Sequence, residues 1–296
     1  MQQTATKDTK HIKAKTKRLN RSLAGDIGID IALTLLALFM VLPMVYVIGN
    51  AFKPFDELFV FPPRFVPLNP TTDNFSDLLT VLSTSWIPIT RYLFNTVFVT
   101  VVGGVGHIFI SSMAAYALSK FNFPGKNTMF QLIVLSLMFS GSVTGIPSFL
   151  IIAKLGLIDT PWSIIIPAIA GTLGLYLMKQ FMDQQIHNSL LEAARIDGAS
   201  ELRIFYNIVM PLVKPGWLTL MILTVQSLWN STGGGYIFSE EWKMLPTALS
   251  QITATGIARS GVAAAITVVM MIVPIGTFVL SQSQMIETMA TSGMKD

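Results

Sequence analysis

Six long stretches of the chain contain no aspartate, glutamate, lysine or arginine. They cover residues 31–52, 92–119, 127–153, 160–178, 215–239 and 260–286. A helix needs about 20 apolar residues to cross the hydrocarbon core of a bilayer, and buried soluble helices rarely run so far without charge. Only 12% of the residues are charged, about half the usual share in a soluble domain. The sequence therefore predicts an all-α membrane protein with six transmembrane helices, the fourth shortened by Pro161 and Pro167.

The basic residues are unevenly distributed and indicate how the spans are oriented. Seven lysines and arginines precede the first span, at Lys7, Lys10, Lys13, Lys15, Lys17, Arg18 and Arg21. Cytoplasmic segments of membrane proteins carry an excess of positive charge. With the N-terminus inside, 14 of the 20 Lys and Arg residues are cytoplasmic and six are not. We therefore expect both termini in the cytoplasm, and a basic tail that contacts lipid headgroups rather than nucleic acid.

These spans divide the chain into five parts. They are a basic tail (1–26), a first transmembrane helix (27–52), an extracytoplasmic loop (53–91), a core (92–286) and a cytoplasmic tail (287–296). The loop at 53–91 is rich in proline and aromatic residues. About 40 residues cannot bury much core, so we expect it to lie on the membrane surface. The apolar run behind the basic tail is too long for a cleavable signal peptide.

Residues that carry out chemistry are largely absent from the sequence. The chain has no cysteine, and its three histidines, His11, His107 and His187, are far apart. Gly125-Lys126 is followed by Asn127 and lacks the earlier glycine of a phosphate-binding loop. There is no nucleophile elbow and no zinc-protease helix. We therefore expect no enzymatic activity and no metal or cofactor in this chain.

The spans themselves hold few polar features. They contain no ionisable pair of the kind that relays protons or ions, and His107 is expected to be a hydrogen-bonded packing residue. Gly141 and Gly145 have the small-xxx-small spacing of packed membrane helices. Gly103, Gly104 and Gly106 are likewise predicted to let helices approach closely. Such spans do not favour a proton-coupled transporter.

The largest predicted cytoplasmic loop, residues 187–211, has the pattern of a short capped helix. Ser189 and Glu192 have the spacing of a capping box, which predicts a helix start. Gly198 can end that helix in the left-handed conformation, and a second helical pattern follows from residue 201 to 209. The first helix would be roughly nine residues long, too short to be stable alone in water. It must therefore pack against something else.

The loop resembles the EAA loop of ABC importer permeases. Glu192-Ala193-Ala194 is followed by Gly198, Ile208 and Pro211 at the spacings of that motif. Further segments resemble the carbohydrate (MalG-like) branch: 61–63 with 69–75, 115–126, 155–160, and the pair Trp229-Asn230. The resemblance covers the chain from about residue 30 to its end. It implies the type I ABC importer permease fold in a bacterial inner membrane.

The resemblance also implies partners. A second homologous permease subunit, two ATPase subunits that bind ATP and Mg, and an extracytoplasmic sugar-binding protein would complete the importer. The short helix would be a coupling helix seated in a cleft of the ATPase. The residues assigned to this contact are Ser189, Glu192, Ala193, Ala194, Asp197, Gly198 and Ala199. The two alanines would offer a small flat face, Glu192 a charge, and Gly198 close backbone approach. The spans would rock between inward and outward states.

Two further sets of residues are predicted to have a function. In the MalG-like tail, Ser292, Gly293 and Lys295 would reach the ATPase interface; a frayed terminus is the alternative. Sugars are held by hydrogen bonds and aromatic stacking, so the substrate pathway candidates are Tyr176, Gln226, Trp229 and Asn230. Each of these could instead be a packing residue. The partner permease would then supply the sugar contacts.

Two other classes of protein compete with the importer subunit. A stand-alone secondary transporter or channel for a small solute would show intramembrane charges or inverted repeats. A membrane-embedded enzyme would show a polar cluster inside the spans. The sequence displays neither feature, so we expect the first class: a permease subunit of an ATP-driven carbohydrate importer.

Overall fold

The structure is a computed structural model that describes residues 23–83, 87–254, 256 and 259–292, with side chains described only between residues 25 and 283. The seven basic residues of the N-terminal tail, Gly293 and Lys295 lie outside these ranges. All regular structure in the described ranges is helical. The chain divides into two compact units between Tyr46 and Val47, and α1 (Leu23–Ala51) crosses this division.

The described helices after α1 are joined mostly by short connections, with longer ones at residues 59–72 and 230–244. They are α2 (Phe55–Leu58), α3 (Asp73–Ser83), α4 (Ile89–Lys120), α5 (Lys126–Ser136), α6 (Gly141–Lys154), α7 (Trp162–Ile169), α8 (Thr172–Gln185), α9 (Asn188–Ile196), α10 (Glu201–Ile204), a π-helix (Phe205–Val209), α11 (Met210–Leu212), α12 (Lys214–Trp229), α13 (Leu245–Thr253) and α14 (Ser260–Ser292). Four segments are long and apolar enough to cross a membrane, namely α1, α4, α14 and the joined α7–α8. Two further pairs of helical segments are bent but could each form one crossing, which brings the possible crossings to six. They are α5 with α6, and the segment from α10 to α11 with α12.

The third predicted span is not one straight helix. Within 127–153 the chain forms α5 and α6, whose axes differ by 111°. The residues between them form tight turns, with the amide of Phe139 bonded to the carbonyl of Ser136. Ser140 then has extended dihedrals and begins the second helix. The absence of charge did not reveal this break, because apolar turns and apolar helices look alike by that criterion.

The fourth and fifth spans also depart from the predicted runs. Pro167 lies in the last turn of α7, and Gly171 leaves helical geometry before α8 begins. The fifth run was predicted to reach residue 239, but α12 ends at Trp229. Beyond it Gly233, Gly234 and Gly235 all have positive φ, a conformation open to glycine, and the chain turns there. We treat α12 as the fifth span and the bent segment before it as loop.

Helix α4 lies at the centre of the core and packs against α7, α8 and α12. A Cβ at Gly103 would lie 2.9 Å from Leu228 of α12, and one at Gly106 would lie 2.7 Å from Ile169 of α7. The predicted close approach is confirmed at these two glycines. It is wrong within this chain for Gly104, Gly141 and Gly145, where an added Cβ meets nothing within 4 Å.

Candidate coupling site

Helix α9 starts one residue before the predicted capping box. His187 is its N-cap residue, and no side chain caps the helix. Ser189 lies inside the first turn rather than at the cap, so it cannot accept the bond that a capping box requires. The capping box of Ser189 and Glu192 is therefore wrong, although the nine-residue length is confirmed. A side-chain cap occurs at the next helix, where Ser200 accepts from the amide of Arg203 at 3.4 Å.

The two long faces of α9 have opposite environments. Leu191 and Ala194 are buried in a cluster with Met182 and Ile186 of the preceding segment. On the other face Ser189, Glu192 and Ala193 are exposed, and Ile196 is 86% exposed. The predicted flat face of two alanines is thus wrong in part, because Ala194 points into the cluster. Ala193 alone lies on the outer face.

A Schellman motif ends α9 at Gly198. The amide of Gly198 donates to the carbonyl of Arg195, and the amide of Ala199 donates to the carbonyl of Ala194, both at 3.0 Å. Gly198 has φ +79°, which confirms the predicted left-handed turn. A Cβ here would meet nothing within 4 Å. Within this chain glycine is therefore required by backbone conformation rather than by crowding.

The carboxylates of this outer surface have no partner in the described part of the chain. Glu192 and Asp197 are exposed, and their carboxylates form no hydrogen bond or ion pair with any described residue. Ala199 is half-buried against the same cluster as Leu191. The outer surface of α9 thus offers two negative charges, a small side chain and an open backbone turn.

A polar chain joins α9 to the end of α4. Arg195 Nε donates to Glu201 Oε1 at 2.7 Å, and Tyr116 Oη donates to Glu201 Oε2 at 2.9 Å. The hydrogen bond from Arg195 lowers the pKa of the Glu201 carboxyl, with Tyr116 acting in the same direction. The same bond raises the pKa of Arg195. Glu201 therefore links the short helix to a membrane span.

Lysine side chains secure the start of the loop. Lys120 Nζ donates to the carbonyl of Ile186 at 2.6 Å, and Lys179 pairs with Asp183 at 2.6 Å within α8. Sequence reasoning missed Lys120, Tyr116 and Glu201. Their partners lie up to 85 residues away in the chain, so no local pattern could have identified them.

The structure does not bring the four pathway candidates together. Gln226 and Asn230 share one exposed face of α12, where Asn230 Nδ2 donates to the carbonyl of Gln226 at 2.8 Å. Trp229 is buried on another face, and its Nε1 donates to the carbonyl of Met270 at 3.0 Å. Tyr176 stacks on Phe130, with ring centroids 6.2 Å apart. The side chain of Ser292 is not described, so the tail contact stays a prediction.

The sequence profile described as "binding-protein-dependent transport system inner membrane component" matches residues 107–288, which include α9 and its polar links. The chain belongs to this family. It is therefore an inner-membrane permease component of bacterial ABC transport systems, and the loop at 187–211 lies inside the matched region. The described residues hold no group of three or more His, Cys, Asp or Glu that could bind a metal.

Relatives of this permease include permease proteins of polysaccharide and oligosaccharide transport systems. The polygalacturonan/rhamnogalacturonan transport system permease protein YtcP of Bacillus subtilis (strain 168) is 37% identical over 199 residues, 67% of each chain. The arabinooligosaccharides transport system permease protein AraQ of Halalkalibacterium halodurans is 30% identical over 69% of this chain and 72% of its own.

A solved structure shares the fold. It is a bacterial ABC transporter involved in the import of the acidic polysaccharide alginate, and the superposition has a TM-score of 0.72 at 24% identity. The match covers 90% of this permease and 99% of the solved chain. The helices and their breaks therefore form the fold of an ABC importer permease.

Proposed function

We propose that this permease forms half of the translocation pathway of a carbohydrate importer, oligosaccharides being its substrates, and takes its energy from a partner ATPase through α9. The observation that carries the proposal is the outer surface of α9. The Glu192 and Asp197 carboxylates on it have no partner among the described residues, and the Gly198 turn is open. Leu191 and Ala194 pack on the inner side, and Arg195 is linked through Glu201 to Tyr116 of α4.

The geometry supports force transmission rather than catalysis. A nine-residue helix is unstable alone, so its position is set by Leu191 and Ala194 inside and by an outside partner. When two ATPase subunits close on ATP and Mg, they would move the two α9 helices of a permease pair together. The Arg195–Glu201–Tyr116 chain would pass that movement to α4 as a rigid unit.

The carbohydrate assignment is supported by the relatives. Two of them are named for oligosaccharide or polysaccharide fragments. An extracytoplasmic binding protein would deliver the sugar, as the family description implies. The charge distribution supports an orientation with both termini and α9 on the cytoplasmic side, where ATP is available.

Reconstitution with the genome's neighbouring ATPase and binding protein tests the proposal. The wild-type permease should co-purify with the ATPase, and sugar-loaded binding protein should stimulate ATP hydrolysis and uptake into proteoliposomes. G198D should abolish ATPase capture, because it strains the left-handed turn and adds a side chain at the contact. D77N, at an exposed carboxylate of α3, is the matched control and should bind normally.

The competing class gives the opposite result. A secondary transporter would take up solute without the ATPase, and G198D would leave that uptake unchanged. Normal ATPase capture and uptake by G198D would likewise overturn the coupling assignment.

A further inference from the structure

Seven large apolar side chains are exposed in the segment that joins α1 to α3. We call this segment, residues 53–70, the Phe61 loop, and it lies outside all six predicted spans. Its exposed apolar side chains are Phe55, Phe59, Val60, Phe61, Phe65, Val66 and Leu68. Groups of exposed apolar side chains mark sites that contact proteins or membranes. The Phe61 loop is therefore a contact surface outside the spans.

The Phe61 loop is closed at its base and bonded within itself. The amide of Thr71 donates to the carbonyl of Phe52 at 2.9 Å, so the two ends of the loop lie side by side. Inside the loop the Glu57 carboxylate accepts from two backbone amides, and Lys53 Nζ donates to a backbone carbonyl. Backbone groups that enter a membrane must find partners within the protein, because lipid tails offer none. These bonds meet part of that requirement.

The Phe61 loop folds back to the level of the last turn of α1. A Cβ at Gly49 would lie 2.1 Å from the carbonyl oxygen of Phe65, so the two backbones are in contact. Gly49 belongs to the uncharged run 31–52. As an α-helix this run is about 33 Å long, close to the thickness of a hydrocarbon core of about 30 Å. Gly49 is near the end of the run, so Gly49 and Phe65 both lie at the boundary between hydrocarbon and headgroups.

The charged side chains of the Phe61 loop suit such a boundary. Lys53 is buried, and the Glu57 carboxylate is turned to backbone amides. Asp56 and Arg64 are exposed, and an arginine can bury its stem while its guanidinium stays in the headgroup layer. A segment that lies in the interface places its apolar side in the acyl boundary and its polar groups among the headgroups. The loop has both kinds of side chain.

We infer that the Phe61 loop is a membrane anchor, with Phe61, Phe65 and Val66 inserted between the phospholipid headgroups and the acyl chains. Phospholipid covers the apolar surface because the loop adjoins the end of a span at the depth where the hydrocarbon begins. Apolar side chains gain free energy when they leave water for this boundary. The anchor fixes the depth of the segment that joins α1 to α3. In the proposed orientation it lies in the extracytoplasmic leaflet.

A depth measurement with a fluorescent label tests the anchor. The chain has no cysteine, so F61C and V66C each provide one site for the fluorophore NBD, at side chains that are 91% and 69% exposed. The full-length permease with its co-purified subunits is placed in phosphatidylcholine nanodiscs that contain doxyl-labelled lipid. The doxyl lipid should quench both labels and report a depth of about 5–10 Å into the boundary between headgroups and acyl chains. Aqueous iodide should quench them little.

F238C is the matched control at another exposed phenylalanine. Phe238 is 62% exposed, and the nearby Glu240 and Glu241 are exposed carboxylates that favour water. Iodide should quench the F238C label, and doxyl lipid should not. Equal lipid quenching at F238C and F61C would show that the Phe61 loop has no special contact with lipid, and would overturn the anchor.

A charge at position 61 gives a second readout. F61D removes little internal packing, because Phe61 is almost fully exposed, and a carboxylate is strongly disfavoured in an apolar environment. The V66C label should therefore move toward water in F61D and become open to iodide. F61L keeps an apolar side chain and should leave the V66C label at its original depth.

Three further results would each overturn the anchor. The first is that doxyl lipid fails to quench the F61C and V66C labels, whether they are open to iodide or covered by a protein subunit. The second is shielding from iodide that begins only when sugar-loaded binding protein is added, which would make the loop a protein-docking surface. The third is an unchanged depth of the V66C label in F61D. None of these measurements depends on transport, so the anchor and the importer function are tested separately.

Discussion

The two ends of the spans differ in how some of their polar side chains are bonded. At the end formed by residues 49–75, 159 and 231–244, four such side chains bond within the chain: Lys53, Glu57, Asn74 and Asp159. At the α9 end, Glu192 and Asp197 have no partner among the described residues. The first end is held by bonds within this chain, whereas the second carries the surface that we propose to bind an ATPase.

Lys53 and Asn74 organise the internally bonded end. Lys53 is 2% exposed, and its Nζ donates to Asn50 Oδ1 at 2.6 Å and to the carbonyl of Arg64. The amide of Asn74 donates to the carbonyls of Ala51 and Lys53 at 3.0 and 2.7 Å. These bonds fasten the segment after α1 to the start of α3.

Two carboxylates at the same end accept hydrogen bonds from loop amides. Glu57 accepts bonds from the amides of Leu68 and Asn69 at 2.9 and 3.0 Å. Asp159 accepts from the amides of Phe238 and Ser239 at 2.9 and 2.8 Å. These backbone donors lower the pKa of both carboxyls.

The largest expected effect on stability comes from K53M. Removing the ammonium takes away the donor of two part-buried bonds, to Asn50 and to the carbonyl of Arg64, and hydrogen bonds to a charged group contribute about 1.5–3 kcal/mol each. Thermal unfolding of the purified permease in detergent should shift down by several degrees. K154M, at an exposed lysine of α6, is the matched control and should leave the midpoint unchanged. Equal midpoints for both variants would show that the end is not held by Lys53.

G261A should have the next largest effect. A Cβ at Gly261 would lie 2.1 Å from Asn74 Oδ1, so Asn74 must move and its two bonds are strained. Overpacking of this kind costs about 1–3 kcal/mol. G276A, on the same helix but with nothing within 4 Å, should be neutral or slightly stabilising, since alanine is the better helix former. Comparing the thermal unfolding midpoints of G261A and G276A tests for the clash.

E201Q should change stability little and coupling strongly. The Arg195–Glu201 pair is about 40% exposed on each side, and such pairs contribute less than about 1 kcal/mol. Losing the charge weakens the link from α9 to Tyr116, so ATPase activity should persist while uptake per ATP falls. R203Q, at an exposed arginine beside it, should behave as the wild type. A large loss of stability in E201Q would contradict the contrast between the two ends.

The smallest effect should be a local dependence on pH at Asp159. Backbone donors lower its folded pKa, so the stabilisation is present above the ordinary aspartate value of 3.8 and is lost as the pH falls through the folded value. Hydrogen exchange at the amides of Phe238 and Ser239, corrected for intrinsic rates, should accelerate as the pH falls through the folded pKa of Asp159. D159N removes this titration, and its corrected exchange should not change over the same interval.

The sequence was sufficient for features that depend on local pattern. Absence of charge located the spans, and the nine-residue α9 with its left-handed Gly198 followed from spacing and glycine chemistry. It was insufficient where two distant segments decide the outcome. The turn between α5 and α6 is apolar throughout, and Glu201 finds Tyr116 only after folding. His187 starts α9 because Leu191 and Ala194 must face the cluster, which overrides the Ser189 signal.

The π-helix between α10 and α11 makes the orientation of α9 depend on the number of residues in this segment. Its turn holds one residue more than an α-helical turn, and each α-helical residue advances the chain by about 100°. Deleting one residue from Phe205–Val209 would convert the turn to α-helix and rotate α9 by roughly that angle relative to α12. Glu192 would then face a different direction with every contact residue still present. The number of residues from Gly198 to Pro211 thus sets the direction in which the proposed coupling surface points, in addition to the residues that the surface contains.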